Sequence, residues 1–127
     1  QNQATINQIS DPNNPNLVMV TQDGKQNKSY VDQSGHYNAL DLTQKGEWNS
    51  FSGVYQGDNL INSIEQRGHQ NVIEQDLQGS NMDFSIIQHG NGHQVIQTED
   101  GFGIGYKVTQ TGKNMKVSID QGHVMIK

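Results

Sequence analysis

Cysteine is absent from the 127 residues, which excludes disulfides and thiolate metal sites and leaves the redox compartment open. Proline occurs only as Pro12 and Pro15, both near the start. Aromatic residues make up 6% and hydrophobic residues 31% of the chain, and mean hydropathy is −0.80, too little for a conventional globular core. No apolar run approaches the roughly 18 residues of a membrane span, so no membrane insertion is expected. Cations are in deficit: 8 Lys and Arg stand against 13 Asp and Glu, with a net charge of −5 and a pI near 5.3. A nucleic-acid partner, which selects a basic face, is therefore not expected. No signal-peptide pattern opens the chain, although Gln1 in place of Met is compatible with a processed protein.

Low hydropathy with abundant Gln, Asn, Ser and Gly usually signals disorder or a prion-like segment. The arrangement of the residues argues otherwise. Gly24, Gly35, Gly46, Gly57, Gly68, Gly79, Gly90, Gly101 and Gly112 lie eleven apart without a break. Glycine is only 14 of 127 residues, so this is a structural period, and repeats of this kind decide the architecture. Eleven is also a helical supercoil period, but glycine at every repeat with Val, Ile, Thr and Ser between disfavours a helix.

Strand alternation fits. The fifth and seventh positions after each glycine, from Val18 to Ile119, hold Val, Leu, Ile, Phe or Tyr at 15 of 20 sites. The fourth, sixth and eighth are apolar at 9 of 30 and charged at 10. The first set is expected to point inward and the second outward. Each unit then reads as a short strand closed by a glycine turn, glycine reaching positive φ without steric cost. A single strand cannot bury its face, but two can, facing each other across a 22-residue coil. The fold expected is all-β: a β-solenoid of about five coils, each with two short strands and two Gly turns. The coils fall at residues 16–37, 38–59, 60–81, 82–103 and 104–125. Residues 1–15, which hold Pro12 and Pro15, are expected to form a flexible linker or loop before the repeat domain of residues 16–127.

The 22-residue period shows again in polar residues. Gln22, Gln44, Gln66, Gln88 and Gln110 recur without exception, whereas the other corner runs Gln33, Tyr55, Leu77, Glu99 and Gln121. Asn27, Asn49, Asn71 and His93 share one position, and Asn38, Leu60, Met82 and Ile104 share its counterpart. Buried amides are costly unless bonded, and identical amides stacked one coil apart can bond up the column, donor to acceptor. These glutamines, asparagines and turn glycines are the candidate functional positions, as a stacking code that also opposes register slips. No residue pattern points to a cofactor.

The phrase carried by Gln33, Gly35, Asn38, Ala39 and Gln44, with partial versions at Gln22-Gly24-Asn27, Gln44-Gly46-Asn49, Gln66-Gly68-Asn71 and Gln110-Gly112, resembles the repeat of the curlins. The curlins are secreted subunits of bacterial curli amyloid fibres. The resemblance spans about residues 16 to 125. It implies export, an extracellular cross-β fibre grown end to end in a biofilm matrix, and itself, other curli subunits and secretion accessory proteins as partners. Lys107, Lys113, Lys116 and Lys127 are similar to the nucleator-like minor type, and the segment around Pro12 and Pro15 to the family's secretion segment. An uncapped last coil, with Val124 and Ile126 continuing the strand pattern, favours polymerisation.

Sharper chemistry finds little support. His69, His89 and His93 fall near one corner, but a metal site needs close ligands with supporting contacts, and turn or ladder histidines are the simpler reading. In "GFGIGY" a nucleotide loop would need a following helix, and the next segment reads as a strand. Glu99 and Asp100 are adjacent carboxylates without the opposed geometry of an acid–base pair, and a local bulge is expected at inward-falling Glu99. Asp32, Asp41, Glu65, Glu74, Asp76, Asp83 and Asp120 read as a solvated face, and Ile61, Val72, Ile87 and Ile96 as scattered surface residues. The rival functions are a soluble monomeric solenoid binding ice or another surface through a flat face, and a polysaccharide-cleaving solenoid enzyme. The first needs a regular outward array, yet Glu65 and Ile87 interrupt the column of Thr21, Thr43 and Thr109. The second needs larger coils and a carboxylate groove, and the chain is not expected to be an enzyme.

Overall fold

The computed structural model describes residues 1–9, 13 and 15–121, and every regular element among them is a strand. The strands are β1 (Gln3–Ile9), β2 (Leu17–Lys25), β3 (Lys28–His36), β4 (Ala39–Glu47), β5 (Ser50–His69), β6 (Val72–Asn91), β7 (Gln94–Phe102), β8 (Gly105–Lys113) and β9 (Lys116–Gln121). All pair in parallel, along two walls. One wall runs β2-β4-β5-β6-β8 and the other β1-β3-β5-β6-β7-β9. From β2 onward each residue pairs with the residue 22 further on, as in Gln22↔Gln44 and Gln66↔Gln88. The chain is a β-solenoid of about five 22-residue turns.

Side-chain alternation sets the inside. The fifth and seventh positions after the glycines supply Val31, Leu40, Leu42, Phe51, Ile64, Ile73, Phe84, Ile86 and Val95, all buried. Each such side chain contributes about 1.5–3 kcal/mol relative to exposure. Tyr55, Leu60, Leu77 and Met82 close the core at one pair of corners, while Val18, Val20, Tyr106, Val108 and Val117 in the end coils are only partly covered. Gly53 takes an inward position where an apolar residue is expected. A Cβ there would meet the Phe51 ring at 2.9 Å and the Tyr55 hydroxyl at 2.8 Å, so the two aromatics fill its space.

The glycines do more than turn the chain. Gly24, Gly35, Gly46, Gly57, Gly68, Gly79 and Gly90 all have positive φ, and a Cβ on any of them would overlap the carbonyl oxygen of the residue 22 further on, itself a glycine. The columns are therefore glycine for steric reasons between coils as well as within the turn. The second residue after each glycine is left-handed too: Gln26, Tyr37, Trp48, Asn59, Gln70, Asn81, Gly92, Gly103 and Asn114. Asn and Gly adopt that conformation readily, whereas the others do so at a cost of about 1–2 kcal/mol. Here the corner geometry outweighs residue preference.

Three expectations are revised. The strands are not all short: β5 and β6 each run 20 residues and wrap a corner, because pairing to the neighbouring coil continues almost unbroken through the glycine turn. No bulge occurs at Glu99, which keeps register with Leu77 below and residue 121 above. Within residues 1–15, Gln3–Ile9 forms a strand on β3, with Gln3↔Lys28 giving a step of 25 residues in place of 22. Pro12, Val124, Ile126 and Lys127 lie outside the described residues.

Candidate functional site

The column Gln22–Gln44–Gln66–Gln88–Gln110 is a continuous amide ladder. Each Nε2 donates to the Oε1 one coil on, at 2.7, 2.8, 3.0 and 2.8 Å in turn. The second hydrogen of the amide reaches backbone carbonyls across the corner: Gln44 to Lys28, Gln66 to Ser50, Gln88 to Val72 and Gln110 to Gln94, at 2.8–3.1 Å. Both donors are thus used, and Gln44, Gln66, Gln88 and Gln110 are buried without penalty. Gln22, in the first coil, is half-buried.

Asparagine works differently from the expected amide-to-amide stack. Asn49 Nδ2 does donate to Asn27 Oδ1 at 3.1 Å, but the recurrent bonds go to backbone. The Oδ1 atoms of Asn27, Asn49 and Asn71 accept the backbone N–H of residues 49, 71 and 93, each at 3.1 Å. The Nδ2 of Asn27, Asn38, Asn49 and Asn71 donates to the carbonyl four residues back and to Gly46, Gly57, Gly68 and Gly90 of the next coil, at 2.9–3.1 Å for the glycines. With one methylene fewer than Gln, the side chain reaches the corner backbone more readily than its homologue. Asparagine is therefore a clamp on the glycine turn, and Asn38 serves the second corner by accepting the Leu60 N–H at 3.0 Å.

Gln33 leads a mixed column. Its Oε1 accepts from Gln8 at 3.0 Å, while its Nε2 is buried without a partner, Tyr55 standing where the next amide would be. The interior beside this column holds a polar chain that sequence periodicity does not announce. Tyr55 donates to Gln75, Gln75 donates to Gln97 at 2.7 Å, Gln97 donates to Tyr106 at 2.7 Å, and Tyr106 donates to the buried carboxylate of Glu99. Burial pushes the Tyr55 phenol well up from its ordinary value, and burial with the Glu99 hydrogen bond pushes Tyr106 up as well. Glu99 is thus held by a phenol reaching across the coil, with Oε1 left unpaired.

Outside, Asp41, Glu74, Asp76, Asp83 and Asp120 are exposed and Asp32 and Glu65 half-buried. Ile61 and Ile96 are exposed and Val72 and Ile87 half-buried. The histidines do not converge on a metal: among the described residues no group of three or more His, Asp or Glu does. His69 lies 4.0 Å from Glu47 and His89 2.5 Å from Glu65, whereas His93 replaces asparagine in its column. His93 Nδ1 accepts the Met115 N–H at 3.3 Å, so Nε2 carries the proton and donates to the His89 carbonyl at 2.9 Å. The bond of His89 to Glu65 is the main cause of a lowered Glu65 pKa, opposed by burial and helped by Arg67. After Phe102 and the turn at Gly103 the chain enters β8, so no helix follows the Gly-rich segment.

Asn2 and Gln8 were missed by the eleven-residue ruler. Asn2 Oδ1 accepts the Asn27 N–H at 3.0 Å, Ala4 and Ile6 pair with Ser29 and Val31, and Gln8 bonds Gln33. The signal in the sequence is Asn2-x-Ala4-x-Ile6-x-Gln8, a half coil three residues out of phase. No helix among the described residues is long and apolar enough to cross a membrane.

No curated protein and no solved structure matches the chain. Residues 14–46, which contain β2, β3 and most of β4, match the family described as the curlin associated repeat. That family is structural and not enzymatic. The glycine and glutamine columns of the matched segment continue with the same 22-residue period through all five coils.

Proposed function

We propose that the protein is an extracellular structural subunit that self-assembles head to tail into a curli-like functional amyloid of a bacterial biofilm matrix. The carrying observation is that both ends of the described solenoid are strand edges. Among the described residues, β8 and β9 pair only with β6 and β7, and β1 and β2 only with β3 and β4. Gln110 is the last amide of its ladder, and a Cβ at Gly112 would meet nothing within 4 Å, where the earlier glycines face the next coil. Unpaired backbone, an aligned amide and an open glycine corner together form a template for an incoming chain. Other curli subunits and secretion accessory proteins are the partners this reading names, at the cell surface.

The ladder and turn residues then have a double role, stabilising the coil and specifying the register of addition. The column Thr21, Thr43, Glu65, Ile87, Thr109 gives a flat ice-type surface no support. Dilution of denatured chain, followed by amyloid-dye fluorescence and electron microscopy with and without seeds, tests the proposal. Fibres that grow faster on seeds are expected; a β-rich monomer that ignores seeds overturns it.

A further inference from the structure

The N-terminal half coil has the properties of a joint. All seven residues of β1 are exposed, yet alternate ones continue the inward columns of the solenoid. Ile6 lies in the column of fully buried Val31 and is itself 43% exposed, because no strand among the described residues lies beyond it. An apolar inward residue at an open edge needs a cover, and the covering strand has to be parallel and in the same column register.

The outward charges identify that strand. In the wall containing β1, one column reads Lys28, Ser50, Val72, Gln94, Lys116 and another Asp32, Val54, Asp76, Thr98, Asp120. No two like charges are neighbours in either. If a second copy placed β9 directly on β3, Lys116 would abut Lys28 and Asp120 would abut Asp32, about 4.8 Å apart. With β1 between them the neighbours become Lys116 and Gln3, then Asp120 and Asn7, and the alternation continues. Inside, the same placement sets Val117 over Ala4 and Ile119 over Ile6.

We propose that β1 stays in place during assembly and is the acceptor strand for β9 of a second copy of this chain. The inference rests on the end-to-end reading above and specifies its junction. Residues Gln3–Ile9 are then part of the fibre, a half coil whose neutral outward residues separate the like charges of successive subunits. On the opposite wall the junction sets β8 and the next β2 two strand spacings apart, so the contact specified is that of β1 with β9.

The chain has no cysteine, which permits a direct test. Thr5 and Ser118 are outward residues of the same column, about 24 Å apart within one chain by five strand spacings but adjacent across the proposed junction. Full-length chain carrying Thr5→Cys and Ser118→Cys is polymerised under reduction on wild-type seeds, then oxidised and run without reductant. A ladder of covalent multimers is expected. The pair Tyr30→Cys with Ser118→Cys reports the alternative in which β1 leaves; with β1 in place these residues stand about 9.6 Å apart, beyond disulfide reach, and stay monomeric. Asn7→Cys with Asp120→Cys repeats the first test in the next outward column. Cross-linking of the Tyr30 pair, or fibres in which neither β1 pair cross-links, overturns the inference alone. Absence of fibres from the wild-type chain overturns the end-to-end reading and this junction with it.

Discussion

Two glutamine columns in the same solenoid behave in opposite ways. In the Gln22-to-Gln110 column every coil supplies the same side chain, and each amide finds its donor and acceptor in its own homologues. In the column that starts at Gln33, the next coils supply Tyr55, Leu77 and Glu99, and both Gln33 Nε2 and Glu99 Oε1 are buried without partners. There the molecule recruits Gln75, Gln97 and Tyr106 from the interior to hold what it can. A uniform column satisfies itself; a mixed one depends on neighbours and leaves residual cost.

The largest break is expected at the glycine columns that frame both ladders. Gly68→Ala combines a φ of +118° with a clash on the Gly90 carbonyl and should cost more than about 3 kcal/mol in denaturant unfolding. Gly112→Ala meets no atom and should cost only about 1–2 kcal/mol of backbone strain, so near-equal losses would refute the inter-coil argument. Next come the amides themselves. Gln66→Leu strands the Gln44 donor and removes the Gln88 bond, an expected loss of about 2–4 kcal/mol. Gln33→Leu deletes a donor already unpaired and should cost under about 1 kcal/mol. Equal effects on unfolding midpoints would erase the distinction between the columns.

Titration gives smaller differences. Tyr55 and Tyr106 have folded pKa values raised above the ordinary 10.0, so the unfolded chain loses phenol protons first. Their contribution is intact below about pH 10 and is lost above it, and alkaline unfolding should begin there. Tyr55→Phe, measured by the pH dependence of unfolding, should flatten that alkaline fall even as it removes the bond to Gln75. The smallest effect is on the surface. Glu65 has a lowered pKa, so its contribution is present above the ordinary carboxylate range and fades as pH falls through its folded value. Glu65→Gln should remove this acid sensitivity while changing stability at neutral pH by less than about 1 kcal/mol, because the pair with His89 is partly open to solvent and screened.

The same contrast explains what the sequence discloses. The solenoid, its 22-residue turn and the Gln22 column are legible because identical residues recur at fixed intervals, and periodicity reports such recurrence directly. Asn27, Asn49 and Asn71 are legible as a column but not as clamps, since spacing says nothing of whether an amide turns to its homologue or to backbone. The Tyr55-to-Glu99 chain is hidden because its members sit at different repeat positions and meet only once the walls face each other. β1 is hidden by its 25-residue step, which removes it from the glycine ruler although Asn2, Ala4, Ile6 and Gln8 keep the inward spacing. The left-handed Trp48 and Tyr37 run against residue preference, and only the fixed corner shows why they are there.

The central claim is that coils stack along one axis and chains join end to end, and filament mass per unit length tests it most directly. Each chain of 14.1 kDa spans five or six strand spacings of about 4.8 Å, so a single filament should weigh about 0.5–0.6 kDa per Å. Six spacings, with β1 in the junction, give the lower figure. A value near 3 kDa per Å, one chain per strand spacing, would mean flat chains stacked in register and would contradict the solenoid account.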